Sequence, residues 1–156
     1  GRAPIARVLA AVSLLAAVAL AVGVAKAPPR AAPAAAIGAA LRYESWSPER
    51  LAALRAEGRP VFVNFTAAWC VTCQVNDQVA LSTRPVADAF ARADAVYLKA
   101  DWTNRDPAIA AALAEHGRVG VPLYLVYGAD GADAVVLPQL LTEGLVIEAI
   151  ETAARR

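Results

Sequence analysis

The sequence predicts an α/β sandwich with a central mixed β-sheet, and three patterns support this prediction. Apolar runs of strand length alternate with stretches of helical periodicity, so that from residue 61 onward the elements follow the order β-α-β-α-β-β-α. The run Val61–Thr66 is almost continuously apolar, which is typical of a central strand covered on both faces. Turn residues at 128–131 separate the last two strands, so the final strand returns as an edge strand.

Capping residues mark the ends of several helices. Ser47-Pro48 fits an N-cap followed by proline at the first helical position, and Gly58 fits the end of that helix. Asp106-Pro107 and His116-Gly117 mark the start and the end of another helix in the same way. The predicted helices cover 47–58, 70–81, Arg84–Arg92, 106–117 and 142–154, and the predicted strands are Val61–Thr66, 95–100, Leu123–Tyr127 and 134–137, with a short edge segment at Trp46.

The charge distribution separates the chain into two parts. Residues 1–40 contain four of the 15 basic residues and none of the 14 acidic ones, so residues 41–156 carry 11 basic and 14 acidic side chains, a net charge of −3. A nucleic-acid-binding domain needs a clustered basic face, and the sequence shows no such cluster. We therefore expect no nucleic-acid partner.

Residues 1–26 are predicted to form one apolar helix that spans or anchors in a membrane. No charged residue occurs between Arg7 and Lys26, and this run of 18 residues just reaches membrane-spanning length. We expect membrane contact through residues 5–25. A secretory signal peptide is an alternative, because Ala25-Lys26-Ala27 fits a cleavage site, and a buried soluble helix is a third. The first two interpretations place the following domain outside the cytoplasm.

Residues 27–40 are rich in proline and alanine and lack periodicity, which predicts a linker stiffened by proline. The folded domain is then expected to comprise residues 41–156. The sequence contains no methionine, so Gly1 is not an initiator. We expect the chain to be a fragment of a longer polypeptide or a processed product.

The two cysteines of the chain occur in the motif Trp69-Cys70-Val71-Thr72-Cys73, between the strand Val61–Thr66 and a predicted helix. A strand that leads into Cys-x-x-Cys at a helix N-terminus is typical of a dithiol redox centre. The free N–H groups of the first helical turn favour a thiolate at Cys70. Cys73, one turn later, is placed to close a disulfide or to resolve a mixed one, and this chemistry needs no further cofactor.

Three other interpretations of the cysteines are weaker. A zinc site normally takes four Cys/His ligands, whereas the chain has two cysteines and one histidine, His116. A structural disulfide between residues only three apart closes a small loop and adds little stability. Two unrelated core cysteines would not explain the strand before the motif and the helix after it. We therefore predict no metal site, and we expect His116 to be a charge partner at a helix C-terminus.

With these features, the chain resembles the thioredoxin superfamily over residues 41–156, through the motif at 69–73 and through Val121-Pro122 before another strand. The residues around both motifs, 64–70 and 120–124, are similar to the C-terminal domain of the DsbD-type thiol:disulfide interchange proteins. The resemblance implies a thioredoxin-like three-layer sandwich. In the DsbD type, a transmembrane electron-transfer domain precedes a periplasmic thioredoxin-like domain, so residues 1–40 would be the last membrane helix and its tether.

The resemblance also implies roles for individual residues. The proline that matches Pro122 is cis in such folds and lies against the dithiol, which leaves the Val121 backbone free to pair with an extended partner segment. Trp69 is expected to shield the thiolate and to contribute to the partner surface. Many relatives have a buried acid at the position of Asn64. This chain has an amide there instead, and an amide cannot exchange a proton. DsbD-type domains often have an acid at the position of Asp77, so Asn64 and Asp77 are candidate modulators.

Without the family resemblance, the sequence is also consistent with simpler roles for these residues. Pro122 is equally consistent with a trans proline that enters a strand, and Asp77 with an exposed helix acid. Trp69 would then be a packing residue, like Trp102, and Asp101 a turn residue.

The sequence therefore predicts a membrane-tethered thiol:disulfide oxidoreductase of the bacterial inner membrane, with its thioredoxin-like domain in the periplasm. Electrons would pass from an upstream transmembrane domain through Cys70 and Cys73 to periplasmic disulfide-containing proteins. One alternative is a stand-alone anchored thioredoxin-like protein, for instance one that serves cytochrome c maturation. Others are a dithiol oxidant and a redox-silent module that binds peptides in the groove at Val121-Pro122.

Overall fold

The computed structural model describes residues 41–156, which form a five-stranded mixed β-sheet with helices on both faces. The strands are β1 (Glu44–Ser45), β2 (Val61–Thr66), β3 (Val96–Asp101), β4 (Leu123–Tyr127) and β5 (Val135–Val136). The helices are α1 (Pro48–Ala56), α2 (Val71–Asn76) with the π-helical segment Asp77–Leu81, α3 (Arg84–Arg92), α4 (Pro107–Glu115) and α5 (Glu143–Ala154). The predicted helix at 1–26 and the linker at 27–40 lie outside the described residues.

Strand β2 lies at the centre of the sheet, whose order is β1-β3-β2-β4-β5. It pairs in parallel with β3 and antiparallel with β4, and β5 returns antiparallel to β4. This arrangement confirms the predicted mixed sheet. The register places Asn64 of β2 opposite Lys99 of β3 and opposite Tyr124 of β4.

The two faces of the sheet cover separate hydrophobic cores. On one face, Val63 and Phe65 pack with Leu54 of α1 and Leu113 of α4. The other face contains residues of β2, β3, β4, the π-helical segment, α3 and α5, including Phe62, Leu81, Phe90, Tyr97, Tyr124 and Ile150. Because side chains alternate along a strand, Asn64 faces the same side as Phe62.

The predicted capping residues are found where the sequence placed them. The Ser47 hydroxyl accepts a hydrogen bond from the Arg50 N–H (3.1 Å), and the Asp106 carboxylate accepts one from the Ala108 N–H (2.8 Å). Gly58 adopts a φ of +68° just beyond α1, in the left-handed region that glycine tolerates without strain. These local signals fix where α1 and α4 begin and where α1 ends.

Several predicted bounds differ from the structure. The edge segment predicted at Trp46 is the strand Glu44–Ser45, which ends one residue before it. The helix predicted over 70–81 is α-helical only to Asn76 and continues as a π-helix to Leu81. Strand β3 covers Val96–Asp101 instead of 95–100, and the edge strand predicted over 134–137 contains only Val135–Val136. The side chain of Asn76 is fixed by residues 139–141 where the π-helix begins, and local sequence patterns do not report such a distant contact.

None of the helices between residues 41 and 156 has both the length and the apolar character needed to cross a membrane.

Candidate redox site

The two cysteines lie in the loop and the first helical turn that follow β2. Cys70 is the N-cap of α2, and its Sγ accepts a hydrogen bond from the Cys73 N–H (3.2 Å). The two residues form a disulfide bond, with their Cα atoms 5.3 Å apart. The predicted strand–motif–helix arrangement is therefore present, and the second sulfur lies one turn after the first.

Both cysteines are largely covered, but not equally. Cys73 is 1% exposed and Cys70 is 7% exposed. The two residues pack against Ala67, with Val121 at the border of the cluster. Solvent therefore reaches the pair mainly at Cys70.

The loop before β4 lies against the dithiol. The peptide bond Val121-Pro122 is cis, Pro122 is buried, and Val121 contacts the cysteine cluster. Between residues 41 and 156, the backbone N–H and C=O of Val121 have no hydrogen-bond partner. Exposed backbone groups of this kind can pair with an extended segment of another protein.

Trp69 projects beside the cysteines and is held by the segment after β3. Its side chain is 49% exposed, and its indole N–H donates to the Thr103 carbonyl oxygen (3.2 Å). The Thr103 hydroxyl accepts a second hydrogen bond from the Ala68 N–H (2.8 Å), and it donates one to the Asp101 carboxylate. Thr103 therefore connects two consecutive residues of the Cys70 loop to the end of β3.

Four exposed apolar side chains lie in the segments next to Cys70. Trp69 and Val71 flank Cys70 in the sequence, Val75 lies one helical turn beyond Val71, and Val119 precedes Val121 by two residues. All four of these side chains are exposed, Val119 completely. Such a surface is suited to contact with another protein.

Asn64 is fully buried on the α3 and α5 face of the sheet. Its side-chain N–H donates to the Tyr97 hydroxyl (2.7 Å), while its Oδ1 has no donor among the described residues. The amide is neutral and cannot take up a proton at this buried position.

Asp77 lies in a small polar cavity beside the redox loop. The cavity has a volume of about 140 Å³ and is lined by Thr66, Ala67, Ala68, Gln74, Asp77, Lys99 and Asp101. Burial raises the pKa of the Asp77 carboxyl above its ordinary value, while the positive charge of Lys99 and the Asn64 amide lower it in part. Ala67 belongs both to this cavity and to the cysteine cluster, so the polar cavity and the dithiol share a wall.

Sequence reasoning missed Lys99, Thr103 and Asn76. Lys99 had a readable signal, because it is a charged residue with apolar neighbours on both sides within β3. The others had none, because their contacts join segments that are distant in sequence. Trp102 is buried and Asp101 accepts the Thr103 N–H, as expected for packing and turn residues.

His116 is the C-cap of α4 and does not contact the cysteine cluster. No group of three or more possible metal ligands occurs within residues 41–156.

A disulfide at the N-terminus of a helix, next to a cis-proline loop on a mixed sheet, defines the thioredoxin-like class of folds. The family model described as Thioredoxin-like matches residues 42–129, which is more than half of the chain and includes both motifs. The protein belongs to this family.

Within this class, the chain is similar to DsbD. It is 36% identical over 85 residues to the thiol:disulfide interchange protein DsbD of Yersinia enterocolitica, a match of 54% of this chain and 14% of that protein. The DsbD of Ralstonia nicotianae is 34% identical over 88 residues, which is 56% of this chain and 14% of that protein. The chain thus spans only a small part of the length of these curated relatives.

Solved structures agree with this similarity. The C-terminal domain of DsbD from Neisseria meningitidis in its reduced form superposes with a TM-score of 0.53 and 28% identity, over 65% of this chain and 88% of that one. The oxidised form superposes with a TM-score of 0.57 and 24% identity, over 72% and 99%. The predicted thioredoxin-like fold and the resemblance to DsbD are both confirmed.

Proposed function

We propose that residues 41–156 are a thiol:disulfide oxidoreductase domain that reduces disulfide bonds of periplasmic proteins. The observation that supports this most directly is the contact between the Cys70–Cys73 cluster and Val121 of the cis-proline loop. This contact brings a reactive sulfur, a free backbone edge and an exposed apolar surface to one place.

The first step is attack by Cys70. In the reduced domain, the Cys70 thiolate attacks one sulfur of the partner disulfide, and the other partner sulfur leaves as a thiolate. Cys70 is the more accessible cysteine, and first-turn N–H groups such as that of Cys73 point at its sulfur. The partner segment pairs with the Val121 backbone and rests on Trp69 while the mixed disulfide exists.

The second step is resolution by Cys73. The buried Cys73 thiol loses its proton and attacks the Cys70 sulfur, which closes the Cys70–Cys73 disulfide and releases the second partner thiolate. Asp77 follows Cys73 by four residues, so both lie on the same side of the helix. Its raised pKa makes it a better proton acceptor than an ordinary exposed carboxylate, and the polar cavity connects it to solvent. Asn64 modulates this step as a neutral group.

Renewal of the dithiol requires two electrons and two protons from another dithiol. By resemblance to the DsbD type, the cysteines of an upstream transmembrane domain supply them, and residues 1–26 anchor the domain in the bacterial inner membrane on the periplasmic side. No metal, nucleotide or flavin takes part.

A trapping experiment tests the assigned roles. In the Cys73→Ser variant, the mixed disulfide at Cys70 cannot be resolved, so the reduced protein should form a covalent adduct with insulin that is visible on a non-reducing gel. Cys70→Ser is the matched control and should form none. If only Cys70→Ser forms the adduct, the two roles are reversed. If the wild-type protein with both thiols free does not reduce insulin, the protein is a redox-silent binding module instead.

The reduction potential of the Cys70/Cys73 couple tests the direction of electron flow. A difference of about 30 mV corresponds to about 1.4 kcal/mol for a two-electron couple. A potential well below that of the oxidants in the compartment supports electron donation, whereas a potential above them makes the domain a dithiol oxidant.

A further inference from the structure

Arg105 lies next to the redox loop and has no acidic partner among the residues that the structure describes. Its guanidinium carbon is 5.4 Å from the centroid of the Trp69 ring and 5.1 Å from that of the Trp102 ring. Among residues 41–156, its side chain forms no ion pair and no hydrogen bond. The guanidinium is therefore held by two aromatic rings, and its N–H donors remain available to another molecule.

The backbone also fixes the position of this side chain. Arg105 adopts a φ of +57°, and its N–H donates to the Trp102 carbonyl oxygen (3.0 Å). The left-handed conformation costs a non-glycine residue about 1 kcal/mol, so the surrounding contacts must hold it. An exposed arginine usually samples many rotamers, whereas this one is preorganised beside Trp69.

The two acidic residues near Arg105 in the sequence bind other groups instead of its guanidinium. The Asp101 carboxylate accepts hydrogen bonds from Thr103, and the Asp106 carboxylate caps α4 through the N–H groups of Ala108 and Ile109. The segment from Trp69 to Asn76 contains no charged residue. The apolar surface around Cys70 therefore has, at its Trp69 side, a guanidinium that forms no ion pair with residues 41–156.

We propose that Arg105 forms an anion-binding subsite of the redox domain. It binds a carboxylate side chain that lies close in sequence to the partner's disulfide. This proposal rests on the proposed function. Trp69 precedes Cys70 directly, so a partner sulfur bonded to Cys70 brings its neighbouring residues within reach of the guanidinium. A planar guanidinium matches a carboxylate in a two-pronged hydrogen-bonding geometry. The partner segment is therefore acidic beside its cysteine.

Single-turnover reduction of three peptides tests the subsite. Each peptide contains one intramolecular disulfide, flanked by glutamate, glutamine or lysine and otherwise identical. The full chain is reduced with dithiothreitol and separated from it. In each turnover, two electrons and two protons pass to one peptide disulfide, giving two peptide thiols and the Cys70–Cys73 disulfide. We expect the glutamate peptide to react about 2- to 5-fold faster than the lysine peptide, the range of an exposed ion pair.

Variants at Arg105 should change this preference while the fold is kept. Asparagine and aspartate tolerate the left-handed conformation better than most residues. Arg105→Asn should bring the glutamate-to-lysine ratio to about 1, and Arg105→Asp should invert it, while Arg105→Lys should retain part of the preference. Raising the salt concentration should reduce the wild-type ratio. Arg92→Asn on α3, an equal charge change elsewhere on the surface, should leave the ratio unchanged.

The outcomes separate the two proposals. A wild-type protein that reduces all three peptides at the same rate overturns the subsite and leaves the proposed function intact. A preference that survives in Arg105→Asn, or that Arg92→Asn also removes, overturns the subsite as well. A wild-type protein that reduces none of the peptides overturns both proposals.

Discussion

The indole N–H of Trp69 donates to the carbonyl oxygen of Thr103, 34 residues later in the chain. Together with the bond from the Ala68 N–H to the Thr103 hydroxyl, it fixes the loop that carries Cys70 to the end of β3. The residues of this loop follow the last ladder position of β2, so the strand pairing itself does not hold them. The position of the nucleophile thus depends on a residue outside the Cys-x-x-Cys motif.

We predict that Thr103→Val destabilises this loop. The variant keeps the shape of the side chain but removes the acceptor of the Ala68 N–H, which should lower the free energy of unfolding by about 1 kcal/mol. Hydrogen exchange of the Ala68 amide measures the local effect, and its protection should fall more than that of β2. Thr103→Ser, which keeps the hydroxyl, should behave like the wild type. Equal protection in both variants would mean that the hydroxyl does not hold the loop.

We predict a larger effect for Asn76→Ala. The buried Asn76 amide donates to the Tyr124 hydroxyl (2.9 Å) and the Gln139 carbonyl oxygen (2.7 Å), and its Oδ1 accepts the Leu141 N–H (3.1 Å). Burial raises the pKa of Tyr124 to about 12, so its hydroxyl stays neutral and needs such partners. Removal of the amide leaves these groups unsatisfied and should cost about 2–4 kcal/mol.

Urea-induced unfolding of the full chain, followed by tryptophan fluorescence, measures this cost. Gln78→Ala is the matched control, because Gln78 is exposed on the π-helical segment and forms no hydrogen bond with the described residues. It should change the free energy of unfolding by less than about 0.5 kcal/mol. A small effect of Asn76→Ala would show that residues 139–141 hold their conformation without it.

The strands, helix caps and redox motif could be predicted because each depends on residues close in sequence. Ser47, Asp106 and the 69–73 motif have their partners within a few positions. The run Leu123–Tyr127 was predicted with its observed bounds, because it is short, rich in aromatic and β-branched residues and flanked by proline and glycine.

The polar interior below the dithiol could not be predicted in this way. Lys99 reaches the cavity of Asp77 because β2 and β3 pair with Asn64 opposite Lys99, and periodicity gives the strands but not their register. The contact of Arg105 with Trp69 joins two loops 36 residues apart through the same pairing. Local sequence patterns therefore predict neither the position of Lys99 beside Asp77 nor the contact of Arg105 with Trp69.

We predict that Asn64→Asp makes stability depend on pH. A carboxyl at this buried position, near Asp77, should have a pKa above its unfolded value. A raised folded-state pKa means that the folded protein binds the proton more tightly than the unfolded chain does. Relative to the wild type, the variant should therefore lose stability as the pH rises from about 4 to 8. Urea midpoints at these two pH values measure the loss.

Asn104→Asp introduces the same chemical change at an exposed position of the loop after β3. Its midpoint difference from the wild type should be nearly the same at both pH values, because a solvated carboxyl has a similar pKa in the folded and unfolded chain. An equal pH dependence of the two variants would contradict the buried polar environment of Asn64.

Asp77 already shows the effect that Asn64→Asp would introduce. Burial raises the pKa of the Asp77 carboxyl, so its ionisation costs more in the folded state than in the unfolded chain. Asp77→Asn should therefore raise the urea midpoint at pH 7, with the gain disappearing below the ordinary carboxyl pKa of about 4, where both states are protonated.

If Asp77 accepts the Cys73 proton, the same variant should also slow the release of partner from the mixed disulfide. Asp88→Asn, on the exposed side of α3, should change neither property. A variant that gains stability but resolves the mixed disulfide at the wild-type rate would remove Asp77 from the proton path, and the carboxyl would then be a buried charge without a role in the exchange.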